Sequence, residues 1–169
     1  MTHPMEAEFG RIRAYLQQQA AEKSVPELFD RVKEGMAELV EAARSVPAAL
    51  LTSHPPGDDW APLDCLRHAV QSNLQVAQDV LHVALTGSRP GEPEPELAPD
   101  RDALIAAQEA SLESLWAHVS EAEPHSNLHV TWPHPFCGEL TGREWLLFLR
   151  IHAKAHARQL TAMREALRA

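Results

Sequence analysis

Five long stretches of amphipathic periodicity constrain this chain most, because each one places an apolar residue at every third or fourth position. Such spacing is typical of helices that bury one face. We expect helices over about residues 5–23, 26–47, 62–85, 100–124 and 141–167. No segment alternates for long enough to predict a β-strand, and residues 128–132 are too short a candidate. The pattern predicts an all-α fold, an antiparallel four-helix bundle with an additional short N-terminal helix.

Residues that favour helix starts support these boundaries. Pro26 and Pro62 suit a first helical turn, where the missing backbone N–H removes no hydrogen bond. Asp100 or Asp102 can cap the fourth helix. The sequence Thr141-Gly-Arg-Glu144 is a capping box, in which the threonine oxygen and the glutamate each satisfy one backbone N–H. The last helix is therefore the clearest of the five.

The length of the chain predicts one domain over residues 1–169. A compact chain of this length buries roughly two-thirds of the surface that its unfolded form exposes, so it needs no disulfide framework. Residues 87–100 contain four prolines and three glutamates, and we expect an extended, solvated loop there. This loop is interpreted either as a lid over a site or as a simple connector.

The charge balance restricts the class of partner. Lys and Arg number 15 against 24 Asp and Glu, which gives a formal charge of −9. A negative field disfavours nucleic acid and anionic membranes, so we expect neither as a partner, whereas neutral or cationic small molecules are compatible with this charge. Residues 1–8 lack the basic flank and apolar run of a signal peptide, and two distant cysteines fit a reducing compartment. The chain is therefore predicted to be cytoplasmic, and a homodimer stays open.

Two histidines interrupt the core-facing stripe of the last helix. His152 and His156 are four residues apart, so both side chains project to one side of the helix, and two imidazoles there can share one metal ion. The alternative is a pair of ordinary, partly buried histidines. A complete site needs a third donor from another helix. Among the candidates, His68 lies far from the Leu/Val stripe of its own helix, and periodicity alone places it at the surface.

Two segments resemble the motifs of one family. The segment Trp60-Ala-Pro-Leu-Asp-Cys-Leu-Arg-His68 resembles the W-S-x-x-E-V-L-x-H sequence of the DinB/YfiT-like superfamily. The segment 134–160 resembles its H-P-x-x-G-x-L-T-x-x-E-W and H-x-x-x-H-x-x-Q-L blocks. The resemblance implies a four-helix bundle that holds a divalent metal ion, and the corresponding ligands here are His68, His152 and His156. Zn or Ni is favoured as the metal, with Fe or Mn as alternatives.

Two positions depart from the pattern of the family. Ala61 followed by Pro62 stands where the family often has serine, and Asp64 replaces the usual glutamate. The first change removes a side-chain cap from the third helix. Neither change affects the proposed ligands.

The resemblance also implies a choice of activities. Similar proteins include thiol-dependent S-transferases and isomerases that use a low-molecular-weight thiol cosubstrate such as bacillithiol or mycothiol. A metal-dependent hydrolase is the closest rival, since a metal with an open position activates either a thiol or water. The third hypothesis is a non-catalytic metal-binding module for stress response or ligand binding. The sequence assigns no catalytic residue.

The cysteine and tryptophan residues near these motifs allow structural and functional interpretations. Cys65 is a fourth ligand, a reactive thiol or, as we favour, a small packing residue. We expect Cys137 in a loop near the mouth of the site. Trp60, Trp132 and Trp145 are predicted to pack between helices rather than to stack on a substrate. Gln159 either orients a metal ligand or lies outside the site.

Overall fold

The computed structural model describes residues 4–91, 100–120 and 127–169. The elements within these ranges are mostly helical, which confirms the predicted fold class. The helices are α1 (Pro4–Glu22), α2 (Val25–Ser45), α3 (Pro62–Thr86), α4 (Arg101–Val119) and α5 (Gly142–Ala166), and a short 3₁₀ turn spans Ala48–Leu50. In the part of the chain that is described, none of these helices is both long and apolar enough to span a membrane.

Helices α2 to α5 form the bundle. Helix α5 packs against α2 and α3, and α4 packs against α3 and α2, so the four helices close into a ring. Helix α1 lies against α5 within the same chain and buries Leu16. The core is one continuous apolar cluster, and its largest fully buried side chains are all leucines: Leu16, Leu28, Leu39, Leu66, Leu104, Leu115, Leu128, Leu140, Leu146, Leu147, Leu149 and Leu160.

A close approach of two backbones joins α2 to α5. Gly35 is buried, and a Cβ atom at this position would lie 3.0 Å from the carbonyl oxygen of Arg150 and 3.1 Å from its Cα. Because only glycine lacks a Cβ atom, Gly35 allows α5 to pack directly on the α2 backbone. The contact residue Arg150 lies two residues before His152 on α5.

Capping interactions fix the starts of the helices. Glu144 accepts a hydrogen bond from the backbone N–H of Thr141 at 2.8 Å, and Thr141 Oγ1 accepts one from the N–H of Glu144 at 3.3 Å. This confirms the predicted capping box. At α3 only half of such a box exists, because Asp64 accepts from the N–H of Ala61 at 3.1 Å and alanine has no oxygen to return the bond.

A short β-hairpin precedes α5, and the expectation of no β-strand was wrong here. Strand β1 (Thr131–His134) pairs antiparallel with β2 (Gly138–Thr141), in the register Thr131 to Thr141 and His134 to Gly138. Each strand has only four residues, and β1 contains a proline, so no alternation of useful length exists in the sequence. The hairpin is held to the bundle by Trp132, whose ring stacks on that of Trp145 at 5.4 Å.

Two predicted segments lie partly outside the described residues. The fourth helix ends at Val119 with Ser120 as its cap, earlier than the predicted end at residue 124, and residues 121–126 are not described. Residues 92–99, which contain most of the predicted acidic proline-rich loop, are also outside the described part. The choice between lid and connector therefore stays a prediction, as does the extent of the domain over residues 1–169.

Candidate metal centre

Three histidines meet where α3 packs against α5. His68 comes from the second turn of α3, and His152 and His156 occupy successive turns of α5. One ring nitrogen from each lies within 4.8 Å of the other two. The Nε2 atoms of His152 and His156 are 3.1 Å apart. The structure thus brings together all three residues that the sequence analysis names as a ligand set.

A buried amide orients His152. Nδ1 of His152 lies 3.0 Å from Oδ1 of Asn73, and Nδ2 of Asn73 donates to Oε1 of Gln108 at 2.8 Å. Asn73 and Gln108 are each 2% exposed. Because the amide nitrogen of Asn73 donates to Gln108, the amide oxygen of Asn73 faces the imidazole and accepts a hydrogen bond from Nδ1–H of His152. The lone pair of His152 is therefore on Nε2, toward the other histidines.

His156 is oriented in a similar way from its own helix. Its Nδ1 donates to Oε1 of Gln159 at 3.0 Å, which leaves the Nε2 lone pair facing the cluster. Gln159 thus orients a histidine of the cluster, one of the two roles that the sequence left open. The Sγ atom of Cys65 lies 3.6 Å from the same Nδ1, on the side of the ring away from Nε2.

The donor set fits a divalent cation. With both Nδ1 atoms donating to amide oxygens, the Nε2 atoms of His152 and His156 present two lone pairs to each other at 3.1 Å. Two acceptors at this distance repel unless a proton or a metal ion shares them. A third imidazole at the same point makes the set suitable for a divalent metal with an open coordination position.

Burial favours the neutral form of His152 and His156. Burial, together with the neighbouring histidines His156, His68 and His134, lowers the pKa of His152 to about 3. Burial also lowers the pKa of His156, although the hydrogen bond to Gln159 acts in the opposite direction. Metal ligation requires neutral imidazole, so both residues are in the competent form at neutral pH without first losing a proton.

A large cavity opens onto the histidines. Its volume is about 990 Å³, and all three histidines line it. The wall is mainly aromatic and includes residues from α1, the hairpin and α5: Phe9, Trp132, Phe136, Trp145 and Phe148. Phe9 and Phe136 stack with ring centroids 4.7 Å apart, so α1 helps to form the wall. An apolar cavity of this size with a few polar groups suits a small organic ligand.

Polar groups of the cavity lie along α3 and at its rim. His68, Ser72, Gln75 and Asp79 follow one another at intervals of four, three and four residues, and therefore occupy one helical face. Asp79 accepts a hydrogen bond from Gln75 at 2.9 Å, and burial raises the pKa of its carboxyl group. Arg89 is paired with Glu139 at 3.1 Å.

His134 is a fourth histidine on the cavity wall. It is 8% exposed and contacts Trp145 and Phe148, with ring centroids 5.0 and 4.5 Å away. Its Nδ1 accepts hydrogen bonds from the backbone N–H groups of Phe136 and Cys137, at 3.1 and 3.0 Å. Burial lowers its pKa, so the ring is neutral and carries its proton on Nε2.

The structure decides between the interpretations of several residues. His68 is exposed, as its periodicity predicts, and it nevertheless belongs to the cluster. Cys65 is fully buried and outside the ligand group, which agrees with a packing role. Trp132 and Trp145 are buried and stack on each other, although Trp132 lies on the hairpin and both also line the cavity. Trp60 is 37% exposed and lies 5.0 Å from the ring of His68, so its predicted packing between helices was wrong. Cys137 lies in the hairpin turn and is buried.

Sequence reasoning missed the residues that support the cluster. Asn73 falls within the apolar stripe of α3, three residues after Val70, and a polar residue in such a stripe was the available signal. Gln108 is similarly polar and buried on α4. The tautomer of His134 had no signal in the sequence, because it depends on the turn of a hairpin that was not predicted.

These features define a class of protein, a four-helix bundle with a three-histidine cluster suited to a divalent metal. The sequence profile of the DinB superfamily matches residues 31–160, well over half of the chain. The chain belongs to the DinB superfamily, which includes metal-binding proteins. The motif resemblance is thereby confirmed at the level of the family.

A solved structure supports the same fold. The crystal structure of TT2238, a four-helix bundle protein, matches the chain with a TM-score of 0.56. The two sequences are 24% identical over the match, which covers 81% of this chain and 98% of the other. This likeness concerns the fold alone. The comparison with curated proteins gives no match.

Proposed function

We propose that this protein is a metal-dependent enzyme that acts on a small, largely apolar molecule, with His68, His152 and His156 as the metal ligands. The observation that carries the proposal is the position of the three histidines, whose free nitrogens converge in an aromatic cavity of about 990 Å³. A divalent metal held there supplies positive charge that lowers the pKa of a thiol or water molecule that reaches it.

Transfer to a low-molecular-weight thiol is the activity that we favour. The chain supplies no nucleophilic thiol of its own at the site, because Cys65 and Cys137 are buried and neither lines the cavity. Burial and the nearby Asp58 raise the pKa of Cys65 to about 12, so this thiol stays protonated at neutral pH. In S-transfer the nucleophile would therefore be a diffusible thiol, and the cavity has room for a thiol together with an apolar electrophile.

Hydrolysis is the second candidate, and one observation favours it. Asp58 and Asp59 line a second, shallow cavity of about 470 Å³ together with His156 and Gln159. A carboxylate near the cluster can accept a proton from water as a general base. Asp79 is less suitable, because it lies eleven positions after His68 on the same helix, a distance of roughly 16 Å along the axis.

The first experiment measures metal content by elemental mass spectrometry on untagged protein purified without chelator. We expect about one Zn, Ni, Fe or Mn per chain. The variant H68A/H152A/H156A should lose the metal while it keeps its helical circular dichroism spectrum. The matched control is H54A/H118A/H129A, which removes three exposed histidines outside the cluster and should keep the metal.

The second experiment tests turnover. Metal-loaded protein is mixed with a panel of thiols and electrophiles, and separately with esters and amides. A thiol-dependent rate that is absent in the triple variant supports S-transfer, whereas a thiol-independent rate that Asp58→Asn lowers supports hydrolysis. A stoichiometric metal without a rate above metal alone would indicate a non-catalytic binding module. No metal, even after reconstitution, would contradict the proposal altogether.

The charge and composition of the chain bear on the cellular location and the partners of such an enzyme. We propose a cytoplasmic protein with a small-molecule substrate and without a nucleic-acid or membrane partner, because the net charge is −9 and both cysteines are free. The apolar stripe of α1 is largely used within the chain, since it packs on α5. A homodimer would therefore need another face.

A further inference from the structure

His134 has a hydrogen-bond donor with no partner among the described residues. Nδ1 of the ring accepts hydrogen bonds from the backbone N–H groups of Phe136 and Cys137, so it carries no proton. The proton of the neutral ring is therefore on Nε2. The side chain is more than nine-tenths buried and lines the cavity, so this N–H faces the space that a ligand would fill.

The Nε2–H of His134 opens onto the cavity, where water can solvate it until a ligand enters. When an apolar ligand displaces that water, an N–H left without an acceptor costs its desolvation, so a ligand that carries an acceptor is favoured over one that does not. The turn between β1 and β2 and the rings of Trp145 and Phe148 fix the position of the imidazole. The donor is thus held in place before any ligand arrives, so little entropy is lost on binding.

The charges around the cavity indicate the kind of acceptor. Arg89, the one Lys or Arg among the lining residues that the structure describes, is already paired with Glu139. Asp79 adds a carboxylate to the same cavity. At the His134 end of the cavity, which Phe148 separates from the histidine cluster, an anionic acceptor would therefore lack a side-chain counter-charge, whereas a neutral carbonyl oxygen suits a neutral imidazole N–H. Aromatic walls on either side of His134 favour an apolar or aromatic body next to that carbonyl.

We infer that His134 binds the neutral carbonyl oxygen of an aromatic or apolar ligand through its Nε2–H, at a position that one phenyl ring, Phe148, separates from the histidine cluster. Phe148 contacts both imidazoles, with ring centroids 4.5 Å from His134 and 5.8 Å from His152. The inference deepens the proposed function, on which it rests for the identity of the cavity as the substrate site. It names carbonyl compounds as the substrate class and His134 as a specificity-determining residue.

The test uses two probes that differ only in the acceptor. Acetophenone has an aromatic ring and a carbonyl oxygen, and ethylbenzene replaces the carbonyl by a methylene. NMR titration of protein labelled with ¹⁵N-histidine measures both dissociation constants and reports the tautomer of His134. We expect the Nε2–H tautomer, and a shift of the Nε2 resonance on addition of acetophenone but not of ethylbenzene.

Two variants separate a ligand donor from a residue that only supports the turn. In His134→Asn the side-chain oxygen still accepts from the two turn N–H groups, as in an Asx turn, but the amide nitrogen stops short of the Nε2 position. In His134→Phe the ring is kept and both hydrogen-bonding roles are lost. We expect the ratio of the acetophenone to the ethylbenzene dissociation constant to rise roughly threefold to tenfold in both variants. His129→Asn, at an exposed position, should leave the ratio unchanged.

Three results would overturn the inference. The first is the Nδ1–H tautomer, and the second is a wild-type protein that binds neither probe. The third is a turn-only pattern, in which His134→Phe weakens both probes equally and His134→Asn restores both. Measurements on metal-free and zinc-loaded protein keep the two proposals apart. A protein that binds no metal would contradict the proposed function. The ratio of the acetophenone to the ethylbenzene dissociation constant would still show, in that protein, whether His134 binds the carbonyl.

Discussion

Oδ1 of Asn73 lies 3.0 Å from Nδ1 of His152. Nδ2 of Asn73 donates a hydrogen bond to Gln108 on α4 at 2.8 Å, so Asn73 links α4 to the histidine cluster. The chain of buried groups fixes one tautomer of one imidazole. It also connects three helices of the bundle, α3, α4 and α5, at the level of the site. A metal centre built on rigid helices in this way has its ligands oriented before the ion binds.

Replacement of Asn73 should therefore weaken metal binding without removing a ligand. We predict that Asn73→Leu lowers zinc affinity roughly 10- to 100-fold, because His152 loses the acceptor that holds its lone pair toward the cluster. Competition titration with a chromogenic chelator measures the affinity. Gln71→Leu, a half-buried position on the same helix, serves as the control. Equal zinc affinities in wild type and Asn73→Leu would show that the contact does not orient the ligand.

Replacement of Cys65 tests whether this residue is a metal ligand. Cys65→Ser should keep its full metal content, because Sγ lies beside Nδ1 of His156 rather than beside the converging Nε2 atoms. The serine hydroxyl is more polar than the thiol in a fully buried position, so a modest loss of stability is expected, on the order of 1 kcal/mol. Elemental analysis and urea unfolding measure the two effects. Loss of metal from a folded variant would make Cys65 a fourth ligand.

The stability of the metal-free protein should fall as the pH is lowered from about 6.5 toward 3. Burial lowers the pKa of His152 from 6.5 to about 3, and it also lowers the pKa values of His156 and His134. Between these pH values the unfolded chain binds protons that the folded chain does not, so acid favours unfolding. The free energy of unfolding is therefore fully retained above pH 6.5 and falls progressively below this pH.

Urea unfolding of metal-free protein at pH 7.5 and 5.5 measures this effect. The difference between the two pH values should shrink in His152→Leu, which removes the histidine with the largest shift. A wild-type protein that is equally stable at both pH values would indicate that these imidazoles are readily protonated in the folded state.

The predictability of the molecule from its sequence depends on how local each signal is. Helix periodicity and the Thr141–Glu144 box predicted the bundle, because both act within a few residues. His152 and His156 were found from their spacing, but His68 needed the family resemblance, since its partners come from another helix. The hairpin and the tautomer of His134 depend on contacts between short segments, for which the sequence contains no periodic signal.

The close packing of α2 on α5 gives the last prediction. A Cβ atom at Gly35 would lie 3.0 Å from the backbone oxygen of Arg150, and neither helix backbone can move away as a flexible side chain would. Gly35→Ala should therefore destabilise the protein by about 1 to 3 kcal/mol, although alanine is the better helix former. The displacement of α5 should also weaken zinc binding, since His152 lies two residues after Arg150.

Gly10 provides the matched control for this substitution. It also lies within a helix, α1, but a Cβ atom there would meet no atom within 4 Å. Gly10→Ala should stabilise the protein by up to about 1 kcal/mol, because only the helix propensity changes. Urea unfolding of both variants compares the two effects. If Gly35→Ala gained as much stability as Gly10→Ala, the two helices would be free to separate, and the position of the histidines would not depend on their contact.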